Sequence, residues 1–141
     1  MRVPTRSHLS GEAGFTLIEI LVVVLIVGIL ALIAMPLYVG QRMRAQDIHT
    51  QAMLRTVATA LQTYHTDEDS YDATRAQLTD IESAISAASP ALAVSGTAET
   101  YTVTEISKSG TTFTLSRAAD GSLMRTCSAP GRGLCRPDLH W

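Results

Sequence analysis

Charge is absent from one long stretch of this chain: no acidic or basic side chain occurs between Ile20 and Val39. A helix of about 20 such residues matches the hydrocarbon thickness of a bilayer. Aromatics are scarce, with two Phe, four Tyr and one Trp in 141 residues, and the net charge is −2. Neither number points to nucleic acid as the main partner. No phosphate loop and no internal repeat occurs. His8, His49, His65 and His140 fall in different elements, and no nucleophile motif lies near them. Without a catalytic constellation, an enzyme is not expected, and no cofactor is implied. About 100 residues remain for a globular part, enough for a small core.

What is present begins with a misplaced acid. Glu19 stands at the head of the apolar run "GFTLIEILVVVLIVGILALIAMP". A carboxylate in a membrane helix costs about 2.5–3.5 kcal/mol on insertion scales. It therefore needs a partner or a task. Stabilising the helix N-terminus through the dipole is the plainer reading. Residues 1–14 are short and polar, with Arg2, Arg6 and Glu12. A secretory signal places its small-residue cleavage site after an apolar core of roughly 7–15 residues. Here Gly14 precedes the run, and the run is too long for a signal core. Orientation is weakly set, because Arg42 and Arg44 follow the span as Arg2 and Arg6 precede it.

Gly14, Phe15, Thr16-Leu17-Ile18-Glu19, the unbroken apolar helix and Pro36 together resemble the N-terminal segment of type IV pilins and type II secretion pseudopilins. The resemblance implies cleavage between Gly14 and Phe15 by a prepilin peptidase and methylation of the new Phe15 amine. It implies an inner-membrane assembly platform and single-pass anchoring in the bilayer before assembly. The C-terminal domain would lie outside the cytoplasm, and copies of this chain and related pilins would then form a helical filament on the cell surface. Glu12 departs from the usually basic leader of the family and is expected to slow processing. Once cleaved, Phe15 carries an ammonium one helical turn from Glu19. Buried together, the two charges satisfy each other within or between subunits. Gly28 and Pro36 weaken helix by about 1 and 3 kcal/mol relative to Ala. Similarity to pilin filaments marks Gly28–Pro36 as a compliant stretch.

Beyond the span, Leu54, Val57, Ala58, Leu61 and Tyr64 repeat as one apolar helix face. Arg42, Arg44, Asp47, Gln51, Arg55 and Gln62 fall mostly elsewhere. The pattern predicts helix to about Thr66, a spine of roughly 50 residues and 75 Å. Tyr64 and Tyr71 are expected to cover the junction after it. The acidic group Asp67, Glu68, Asp69 and Asp72 fails the calcium-loop template, with Asp72 at the glycine position and Leu78 at the glutamate position. A second helix is expected from Thr74 to Ala88, stopped by Ser89-Pro90. "AETYTVTEIS" and "TTFTLSRAA" alternate as strands about a "KSGT" turn. "SLMRTC" adds a third strand, and "ALAVS" a short edge strand. Tyr101, Val103 and Glu105 share one face.

Cys127 and Cys135 are the only cysteines. An even count behind an export-type N-terminus suggests one disulfide. Zinc on Cys127, Cys135 and His140 would lack a fourth ligand. Residues 66–105 hold eight acids against Arg75, whereas residues 106–141 hold five bases against two acids. These are solvated faces or complementary patches between subunits. Arg125, Arg132 and Arg136 are candidates for contacts with anionic partners, nucleic acid included.

The expected fold is α+β: a long N-terminal helical spine on a small antiparallel sheet with a C-terminal disulfide loop. The expected division is a leader (1–14), a membrane and assembly helix (15–39) and a pilin-like globular domain (40–141). The expected function is a structural subunit of a type IV pilus-like filament. A secretion pseudopilin or a DNA-uptake minor pilin is the alternative within the family. A membrane-tethered binding or enzymatic domain is the alternative outside it. Glu19 argues against the specialised tip subunit, and the disulfide loop favours a pilus subunit over the calcium-dependent pseudopilin.

Overall fold

A computed structural model describes residues 14–141. The leader positions Arg2, Arg6, His8 and Glu12 lie outside the described residues. The elements run α1 (Leu17–Glu68), α2 (Arg75–Ile81), a 3-10 turn (Ser83–Ala87), then β1 (Ala93–Gly96), β2 (Tyr101–Ile106), β3 (Thr112–Arg117) and β4 (Leu123–Cys127). The chain divides into two compact units, one ending at Leu37 and one spanning Tyr38–Trp141. The first half of α1 belongs to the former and the second half to the latter.

In the first unit the side chains from Phe15 to Leu37 are exposed. This part of α1 is long and apolar enough to cross a membrane, and none of its most apolar 18-residue window is buried. In water that exposure would be strongly unfavourable, at about 25 cal/mol per Å² of apolar surface.

The second unit holds the core. Its sheet is antiparallel throughout, in the order β1-β2-β3-β4. On β2, Tyr101, Val103 and Glu105 point inward, as the alternation predicts, and Phe113 and Leu115 do so on β3. They meet Met53, Leu54, Val57 and Leu61 of α1 and Leu78 and Ile85 of the connecting segment. The outward face is threonine-rich, and Thr104 and Thr114 share a hydrogen bond at 3.2 Å.

The single helix expected over residues 74–88 is two pieces. Thr74 caps α2 with a capping box, its hydroxyl accepting from the Gln77 amide and Gln77 Oε1 accepting from the Thr74 amide. The break comes at Glu82, whose backbone is extended and whose carboxylate accepts from the Ala84 amide. A side chain that bonds local backbone offers an alternative to continuing the helix. Arg75 then fastens the 3-10 turn by donating to the carbonyls of Ile85, Ala88 and Ser89.

Tyr71 is buried, with its ring stacked on His65 and tilted against Tyr101 at centroid distances of 4.2 and 5.0 Å. Its carbonyl sits where a side chain at residue 96 would project, so Gly96 is required there. The Tyr101 hydroxyl is buried without a hydrogen-bond partner among the described residues. Burial, then the neighbouring Tyr71, push this phenol above its ordinary value of 10.0, against opposing pulls from Arg117 and Arg125. The folded state thus holds the Tyr101 proton more tightly than the unfolded chain does. Its contribution is complete below pH 10 and is lost as pH rises towards the folded value. Tyr101→Phe is expected to flatten that alkaline loss and to leave neutral stability unchanged or raised by about 1 kcal/mol. Thermal unfolding of both chains at pH 7 and above pH 10 checks this.

Candidate functional site

Thr16 precedes the first turn of α1. Its hydroxyl and its carbonyl both accept from the Glu19 amide, at 3.2 and 3.1 Å. "TLIE" thus has the spacing of a capping box, a signal that the acid's position in the apolar run had overshadowed. Glu19 lies in the first helical turn, where a negative charge suits the helix dipole. Phe15 is exposed, and no described residue crowds the Cβ position of Gly14. Gly28 and Pro36 both lie inside the continuous helix α1. Pro36 has no N–H, so the helix forgoes the bond to the Leu32 carbonyl.

A second constellation was not foreseen. Asp47, assigned by its polarity to the solvated side of the spine, is fully buried. Ser107 donates to its Oδ1 at 2.7 Å, and Ser109 donates to the same oxygen. The Leu134 amide donates to Oδ2 at 3.0 Å. One carboxylate therefore joins α1 to the β2–β3 turn and to the loop closed by the Cys127–Cys135 disulfide. Gly133 has φ +59°, and a Cβ there would collide with Asp47 Oδ2. The sequence held the clue. Asp47 and Thr50 precede Leu54, Val57 and Leu61 at helical spacing, on the same stripe.

Glu105 is also removed from the acidic surface group to which its sequence region assigned it. It is 3% exposed, and its Oε1 accepts from the Ser89 amide at 2.9 Å.

The three candidate arginines are dispersed. Arg125 lies over the Trp141 ring at 5.6 Å, with Arg55 at 5.7 Å from the same ring. Arg132 and Arg136 are exposed in and beside the disulfide loop. Cys127 and Cys135 are paired in the disulfide that closes the loop.

The prokaryotic N-terminal methylation motif matches residues 9–35. Three curated proteins are similar. The type IV major pilin protein PilA of Myxococcus xanthus is 38% identical over 58 residues, covering 41% of this chain and 26% of that one. The type IV wide pilus major component PilA4 of Thermus thermophilus is 27% identical over 121 residues, covering 86% and 84%. The type II secretion system core protein G of Pseudomonas aeruginosa is 38% identical over 64 residues, covering 45% of each. The chain thus spans about a quarter of the Myxococcus protein and under half of the Pseudomonas one. No solved structure matches.

Proposed function

We propose that this chain, a member of the type IV pilin and pseudopilin family, is a structural subunit of a type IV pilus-like filament. The observation that carries the reading is the register of Gly14, Phe15 and Glu19 ahead of an apolar helix whose side chains are all exposed. A prepilin peptidase cuts Gly14–Phe15 and methylates the Phe15 amine. The span, residues 15–39, anchors the subunit in the inner membrane, with residues 40–141 outside the cytoplasm. An assembly platform then moves it into the filament. There the apolar surface is covered by the same surface of neighbouring copies, and Glu19 pairs with a Phe15 ammonium. Gly28–Pro36 supplies compliance where the helices crowd. Arg125, Arg132 and Arg136 face anionic partners, among which nucleic acid is the least supported.

A pseudopilin of a secretion system is the second reading, favoured by the likeness to the Pseudomonas secretion protein over 64 residues. The family is structural in both cases. The mass of the mature chain tests the common core of these readings. It should begin at Phe15 and carry one added methyl. Retention of residues 1–14 in cells that hold an active peptidase would sink it.

A further inference from the structure

Glu105 leaves one oxygen unaccounted for. Its Oε2 is buried and has no hydrogen-bond partner among the described residues, although Oε1 is held by Ser89. Unpaired acceptors of this kind are costly, and most buried polar groups have a partner. Arg75, bound to the carbonyls of Ile85, Ala88 and Ser89, is spent on the backbone. Glu105 lines a cleft of about 600 Å³ between α1, the end of the 3-10 turn and β2. That is within the range of small-molecule sites, about 300–1,000 Å³. Arg42, His49 and Lys108 line the same cleft, with Gln46 and Ser89 among its polar groups.

The charges restrict the occupant. A lone cation that would satisfy Glu105 meets Arg42 and Lys108. A lone anion drawn to those two meets Glu105. A compact molecule with an acidic group and an N–H donor a few bonds apart suits both. Position narrows the source. Arg42 lies three residues beyond Val39, where the apolar run ends. If residues 15–39 span a bilayer, as in the reading above, the chain leaves the headgroup region next to Arg42.

We propose that this cleft binds a phosphate ester bearing a primary ammonium, the headgroup of phosphatidylethanolamine, with the ammonium on Glu105 and the phosphate on Arg42 and Lys108. Lipid would hold the cleft while the subunit waits in the membrane.

The test uses the full chain, isotope-labelled, in nanodiscs of phosphatidylcholine alone or with phosphatidylethanolamine. The phosphatidylethanolamine discs should shift the backbone amides of Gln46, Ser89 and Glu105. Phosphatidylcholine has no N–H to donate and should leave them in place. Glu105→Gln should weaken the response about tenfold or more. An N-methylated series from phosphatidylethanolamine to phosphatidylcholine asks the same question without altering the protein, and the response should fall at each methyl. Equal shifts with phosphatidylglycerol would overturn the ammonium contact. Free phosphorylethanolamine acting where the lipid does not would overturn the lipid source. No shift from either removes the site. A chain that fails to enter the discs counts against anchoring instead, and free phosphorylethanolamine then still tests the cleft.

Discussion

Asp47→Ala is expected to destabilise the folded domain by about 3–5 kcal/mol, since it strips two buried hydroxyls and one part-buried amide of their shared acceptor. For a unit of this size that lowers Tm by roughly 12–25 °C. The stranded donors are the Ser107 and Ser109 hydroxyls and the Leu134 amide. Rotation rescues hydroxyls more readily than an amide, so Leu134 carries much of the penalty. Asp47→Asn keeps the shape but turns an NH₂ towards one set of donors, and should cost about half as much. Circular dichroism of the detergent-solubilised full chain reads both. Gly133→Ala supplies the control, because its Cβ would strike Asp47 and its φ of +59° disfavours any side chain. With Asp47 already replaced by alanine the collision disappears and only the backbone strain remains. The double variant should therefore lose clearly less than the two single losses together. Strict additivity would mean that Asp47 does not hold the loop.

Glu19→Ala, with Gly14 and Phe15 intact, should leave processing in place and remove most filaments. If Glu19 meets a Phe15 ammonium in the water-excluded helix bundle, deleting one partner costs about 3–5 kcal/mol. Each addition then weakens by about 10²- to 4 × 10³-fold. Glu19→Gln keeps hydrogen bonding but not charge, and should fall between the two. Counting filaments by electron microscopy, beside the mass of the mature chain, separates assembly from cleavage. Normal filament numbers from the alanine strain would end the docking role and leave Glu19 as a first-turn residue.

Much of the fold was legible because its signals are local. Two-residue alternation placed Tyr101, Val103 and Glu105 on one face, which proves to be the inner one, and "KSGT" placed the hairpin. The α2 break was harder, because it depends on the Glu82 side chain competing for the Ala84 amide. Asp47 escaped because polarity outweighed its place on the apolar stripe. Its donors come from residues 60, 62 and 87 positions further on, a separation no local pattern encodes. The unpaired Glu105 oxygen escaped for the same reason. That it shares a face with Tyr101 and Val103 was readable, whereas the cleft around it arises only when α1, the 3-10 turn and β2 converge.

The C-terminal residues have a consequence for the proposed filament subunit, which would work at extreme local density. β4 is an outer strand of the sheet, and unpaired outer strands recruit strands from other molecules. Here the chain folds back beside it. Thr126 bridges His140, and the Cys127 amide donates to the Leu139 carbonyl at 2.8 Å. The returning segment is itself held by the disulfide and by the Trp141 indole, which donates to the Thr114 carbonyl. Half of the outer strand is thus closed to foreign backbone. If the chain polymerises as proposed, growth is left to the reversible burial of apolar helices, and cross-β aggregation, its irreversible competitor, finds less of a template.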